Sequence, residues 1–189
     1  IYRRSLLSLR LGTPMWVPQP NGNLHENYRR RGVSIGDLGI LTDDGEFDYM
    51  LNVLQPADDP IQPNELPAGF VPLHPPLGRN DISLVDPLFG NGDHLASHSI
   101  EKIGGTRNRG LMFRCTASEG AILTLPEGAR RETLRNDGSF ERYASSHAKS
   151  WYQYAKGPCG RKVENQGLYL ITSCIKSSSW GIATISNVS

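Results

Sequence analysis

His147 stands in the middle of "SFERYASSHAKSWYQYAKG", residues 139–157. An imidazole changes charge near neutrality and can act as a general base, so His147 is the first catalytic candidate. A mechanism there needs a nucleophile or an orienting carboxylate from elsewhere in the chain. Asp37, Asp48 and Asp93 are the acids a fold would have to bring to it. A second constellation lies in "GDHLASHS", which offers Asp93, His94 and His98. A His-x3-His pair on a helix can share a metal ion, with the aspartate adding an oxygen ligand. No third strong ligand follows nearby, and glycines precede the pair, so we assign no metal and no cofactor. A hydrolase or transferase using His147, or His94 and His98, with a carboxylate is the enzyme reading.

A third set is basic. "HENYRRRG" places Tyr28 beside Arg29, Arg30 and Arg31, and "GGTRNRG" adds Arg107 and Arg109. Arginines with an aromatic for stacking are what an anion or nucleic-acid site uses. The charge balance argues against it: 20 basic residues face 19 acidic ones, without the surplus that drives such binding. Arg29–Arg31 lie just before an expected strand, where alternate arginines face solvent. Phosphate-loop, nucleophile-elbow, Cys-x-x-Cys and His-Glu-x-x-His patterns are all absent from the sequence.

The elements that would position these residues are partly legible. On a wheel of about 100° per residue, Phe140, Tyr143, Ala144, His147, Trp151, Tyr154 and Ala155 fall within one arc. Arg142, Lys149 and Lys156 line the opposite side. This predicts an amphipathic helix over 139–156, N-capped by Ser139 and stopped by Gly157 and Pro158. His147 sits inside the apolar arc, where a neutral, hydrogen-bonded imidazole is the commoner state. Packing is therefore its expected role.

"SIGDLGILT" and "EFDYMLNVL" flank "DDG" as a hairpin, with Phe47, Tyr49, Leu51 and Val53 alternating onto one face. "LMFRCTA" with "AILTLPEGA", and "LYLITSCI" with "WGIATI", read as two more. Residues 56–87 hold eight of the thirteen prolines, which predicts a long ordered loop anchored by Phe70, Val71 and Leu73. The glycine-rich stretch from 90 to 110 reads as the most mobile part. Residues 1–12 carry leucines for a short N-terminal helix ended by Gly12. The expectation is one α+β domain over 1–189, with an antiparallel sheet from about three hairpins and one main helix packed on it.

Cys115, Cys159 and Cys174 are odd in number and widely spaced, which suits a reducing, cytoplasmic compartment. No apolar run reaches the ~18 residues of a membrane span.

Several ordered motifs, "YRRRGVSIGDLGILTDDGEFDYMLNVLQPADDPI", "LPAGFVPL", "SEGAILTLPEGA", "HAKSWYQYA" and "LYLITSCIKSSSWGIATI", are carried between Thr13 and Ile185. In them the chain resembles an uncharacterised family from mushroom-forming (basidiomycete) fungi, which has no established activity. The segment resembles the leading part of longer chains of that family, which leaves two expectations open: a short member, or a piece excised from a longer protein. The functional expectation is a non-catalytic recognition or regulatory module, its long loop held on a rigid scaffold to bind a protein or small-molecule ligand. Enzymatic hydrolysis or transfer comes second and nucleic-acid binding third.

Overall fold

The computed structural model describes residues 1–106 and 110–186. It shows an α+β fold, with mostly antiparallel small sheets and one main helix. The chain groups into two compact units, one of Ile1–Trp16, Val85–Arg131 and Ile175–Ser189, the other of Val17–Leu84 and Glu132–Cys174.

The second unit holds the principal core. Strands β1 (Asp37–Leu41) and β2 (Phe47–Asn52) form the expected hairpin, and β9 (Leu168–Leu170) pairs with the other edge of β1, giving the order β2-β1-β9. At Gly39 an added Cβ would stand 2.4 Å from the carbonyl oxygen of Asp48, so this strand position accepts glycine alone. Helix α3 (Asp137–Lys156) sends Phe140, Trp151, Tyr154 and Ala155 into one cluster with Leu38, Met50, Leu51 and Val53. The polar face Arg142, Lys149 and Lys156 is exposed, as the 3.6-residue period requires. Gly157 ends the helix, its N–H donating to the carbonyl of Gln153 at 2.8 Å.

Four local expectations need correction. The N-cap position belongs to Asn136, not Ser139, because the "NDG" turn already starts the helix. Strand β2 is buried on both faces, not one: Tyr49 lies under Tyr28, and Asn52, on the opposite face, is held by Gln62. Arg29–Arg31 lie on a helical turn, α2 (Glu26–Arg31), not on the approach to a strand. The proline-rich loop stops short of residue 87. After a 3-10 turn at Arg79–Asp81 the chain becomes β3 (Ile82–Phe89), an edge strand, where Pro87 removes no central ladder bond.

The first unit contains β4 (Asp93–Ala96), β5 (Ile100–Thr106), β6 (Gly110–Cys115), β7 (Glu119–Leu125) and β11 (Gly181–Ser186). Two of the three expected hairpins pair differently here. β6 joins β5, while β7 lies between β11 and β4, so "LMFRCTA" and "AILTLPEGA" are neighbours in sequence only. The glycine-rich stretch supplies β4 and β5. Helix α1 (Tyr2–Leu7) ends before Gly12 and packs Tyr2 and Leu6 on Ala121 of β7. Strands β8 (Ala129–Leu134) and β10 (Ser173–Lys176) are hydrogen-bonded with β3 in the order β10-β8-β3.

Candidate functional site

Residues 54–78 have no regular secondary structure, yet their backbone is fastened along its length. At one root the Gln62 side chain accepts from the Asn52 N–H at 3.0 Å and donates to the Asn52 carbonyl at 2.8 Å. In the middle, the Tyr154 hydroxyl donates to the Glu65 carbonyl at 2.7 Å and the Tyr143 hydroxyl donates to the Val71 carbonyl at 2.6 Å. At the far root Leu73 is buried and its N–H donates to the Val53 carbonyl at 2.8 Å. Val71, expected as an anchor, is instead 58% exposed; its carbonyl is held while its side chain meets water. Burial pushes the Tyr143 hydroxyl up to about 12, so it stays protonated and donating through the neutral range.

Between the loop and α3 lies an open groove of about 240 Å³. Leu66, Pro67 and Ala68 form one wall, Ser150 and Gln153 the other, and Pro158 one end. Glu65 and Tyr154 complete its lining. A groove of this size is smaller than the ~300–1,000 Å³ that encloses a drug-sized ligand or cofactor. It suits one or two inserted side chains, or a fragment of that size.

His147 is half-buried in a ring stack, its centroid 4.2 Å from Tyr143 and 6.2 Å from Trp151. Its Nδ1 lies 2.8 Å from the Tyr143 carbonyl one turn back, so Nδ1–H donates there. Among the described residues it bonds to no carboxylate, and its geometry is that of packing. In the first unit Asp93 and His94 open a strand, Asp93–Ala96, not a helix, so the helical His-x3-His spacing does not arise. His94 meets the edge of Phe113 at 5.0 Å, His98 is exposed beyond the strand, and the Asp93 carboxylate accepts from the Gly90 N–H at 2.7 Å. Among the described residues no three His, Cys, Asp or Glu side chains converge as metal ligands.

The basic candidates part company. Arg29 is exposed, and Arg30 reaches Glu26 at 2.6 Å. Arg107 and Arg109 lie outside the described residues. Tyr28 is 1% exposed and so cannot stack on a ligand from outside. Arg31 turns inward to Asp37, which is 0% exposed. All four acceptor positions of that carboxylate are used. Oδ1 takes the Arg31 Nη2–H at 2.8 Å and the Asn52 Nδ2–H at 2.7 Å. Oδ2 takes the Ser34 N–H at 2.7 Å and the Tyr28 hydroxyl at 3.0 Å. Burial raises Asp37 to about 6, although Arg31 and the three other donors pull the other way. Asp48, the remaining acid candidate, is clamped by Arg161 through Nε at 2.6 Å and Nη2 at 3.1 Å.

Sequence reasoning missed Asn52, Gln62, Gln153 and the fastening role of Tyr143 and Tyr154. One signal was present: in the expected hairpin Asp37 and Asn52 fall opposite each other, two polar residues at the end of an apolar ladder. Among the described residues no helix is long and apolar enough to cross a membrane. No protein-family model, curated protein or solved structure matches this chain.

Proposed function

We propose that this chain is a non-catalytic recognition or regulatory module, and that the groove between the proline-rich loop and α3 takes a side chain of a protein ligand or a small molecule of similar size. The observation that carries this reading is the fastened loop. Tyr143 and Tyr154 hold its backbone carbonyls over the helix, so one wall of the groove is formed before any ligand arrives. A wall ordered in advance spares the ligand the entropy of ordering it. No described histidine is bonded to a carboxylate, so the hydrolase or transferase reading has no pair to work with. Nucleic-acid binding loses Tyr28 and Arg31 to the interior. The unbridged cysteines support a cytoplasmic location, and the basidiomycete likeness belongs to the same proposal.

A screen of small aromatic and aliphatic fragments, followed by amide NMR shifts, tests the reading. Shifts confined to Leu66, Ala68, Ser150 and Gln153 that vanish in Ser150→Trp support it. Binding elsewhere on the chain, or none across the set, counts against it.

A further inference from the structure

Gln153, on the helix wall of the groove, is flanked along its own face of α3 by two lysines. Lys149 stands four residues before it and Lys156 three after, the spacings that make side chains neighbours on a helix surface. Both lysines are exposed, and among the described residues neither ammonium has a hydrogen-bond or ion-pair partner. Lys156 lies in the last turn, where a cation offsets the negative end of the helix. Lys149, further in, has no such duty. The acids of α3, Asp137 and Glu141, both stand near its start, and the chain from His147 to Val163 holds none. The loop wall carries one acid, Glu65, beside Tyr154. Its charge disfavours a second acid on that side, so a negative group is welcome along the helix rim alone.

We propose that, if the groove is the recognition site argued above, its ligand is an acidic peptide segment of a partner protein. One apolar residue of the segment seats against Leu66, Pro67 and Ala68, and carboxylates before and after it pair with Lys149 and Lys156. The two lysines stand about 10 Å apart along the helix axis, at 1.5 Å of rise per residue. Three residues of extended peptide cover that distance, at about 3.3 Å each. A short segment with an acid at each end therefore meets both cations while its apolar side chain fills the groove. A fragment small enough for the groove alone reaches neither, which favours a protein partner over a small molecule.

Capped tetrapeptides X-Leu-Gly-X, with X aspartate, serine or lysine, test this on the full chain by amide NMR at low salt. The aspartate peptide should shift Leu66, Ala68, Ser150 and Gln153 and bind roughly fivefold more tightly than the serine peptide, as two exposed ion pairs allow. The lysine peptide should bind most weakly, and added salt should shrink the differences. Lys149→Gln combined with Lys156→Gln changes two exposed side chains, so the fold persists, and it should erase the preference for aspartate. Equal affinities for the three peptides overturn the acidic partner and leave the groove reading standing. A preference for aspartate that survives Ser150→Trp places the peptide on the lysine ridge alone and overturns the proposal. Binding by none of the three overturns it as well; fragment shifts at the groove then show whether the groove reading falls with it.

Discussion

The hydroxyl of Tyr154 on α3 donates to the carbonyl of Glu65 in the proline-rich loop at 2.7 Å, across 89 residues of sequence. Its ring is buried in the core while its oxygen fastens the loop. One side chain thus joins the packing of the helix to the shape of the groove. Tyr154→Phe keeps the ring and removes the fastening. We expect a loss of about 1 kcal/mol in denaturant unfolding, with faster amide exchange at residues 65–70. Unchanged exchange there would mean that the loop is held without this bond.

Trp151 is 4% exposed and lies at the centre of the α3 face. Trp151→Ala should cost about 3–5 kcal/mol, a large share of the roughly 5–15 kcal/mol that holds an ordinary domain folded. His147 is only half-buried, so His147→Ala should lose about 1 kcal/mol through its stack and its Nδ1–H bond. Chemical denaturation of the two variants side by side ranks them. A larger cost for His147 would contradict the packing assigned to it.

Asp37 gives the chain a pH dependence whose sign follows from its shift. Its ordinary value is 3.8 and burial raises it to about 6 in the folded chain. The folded state therefore holds the proton more tightly than the unfolded one. The stability tied to this group is fully present below about 3.8 and is lost as pH rises through about 6. Between pH 5 and 7 the unfolding free energy should fall by about 1 kcal/mol, lowering the Tm, and Asp37→Asn should flatten that part of the profile. Global stability thus rises on acidification, because the buried charge is neutralised. A Tm that climbs from pH 5 to 7 through Asp37 would reverse the assignment.

Asp48 and Arg161 meet in a two-point clamp, yet the Arg161 side chain is 49% exposed. Solvent screens such a pair, so Arg161→Ala should cost less than about 1 kcal/mol. Urea unfolding at low and high salt checks this, with the small difference shrinking further at high salt.

The readable parts of the fold are those encoded by nearby residues. The α3 face repeats every 3.6 residues and ends at Gly157, and "DDG" sits between two strands that it turns locally. Strand partners chosen at long range leave no such mark. β7 bonds to β11 and β4 instead of to β6, because an apolar run tells what is buried but not against what. The site divides in the same way. His147 was legible as a packed imidazole from its place in the helical arc. The Tyr143–Val71 and Tyr154–Glu65 bonds were not, since each uses a backbone carbonyl that every residue carries. Arg31 looked like its exposed neighbours Arg29 and Arg30 until the turn of α2 aimed it at Asp37.

The most direct measurement is an amide NMR titration of the full chain with a fragment hit, repeated on Ser150→Trp. Binding at the groove predicts saturable shifts at Leu66, Ala68, Ser150 and Gln153, with a Kd of about millimolar for a ligand of that size. The same shifts should be absent when the indole fills the space. Saturable binding that Ser150→Trp leaves intact, or shifts that gather away from the loop and α3, would contradict the recognition site placed there.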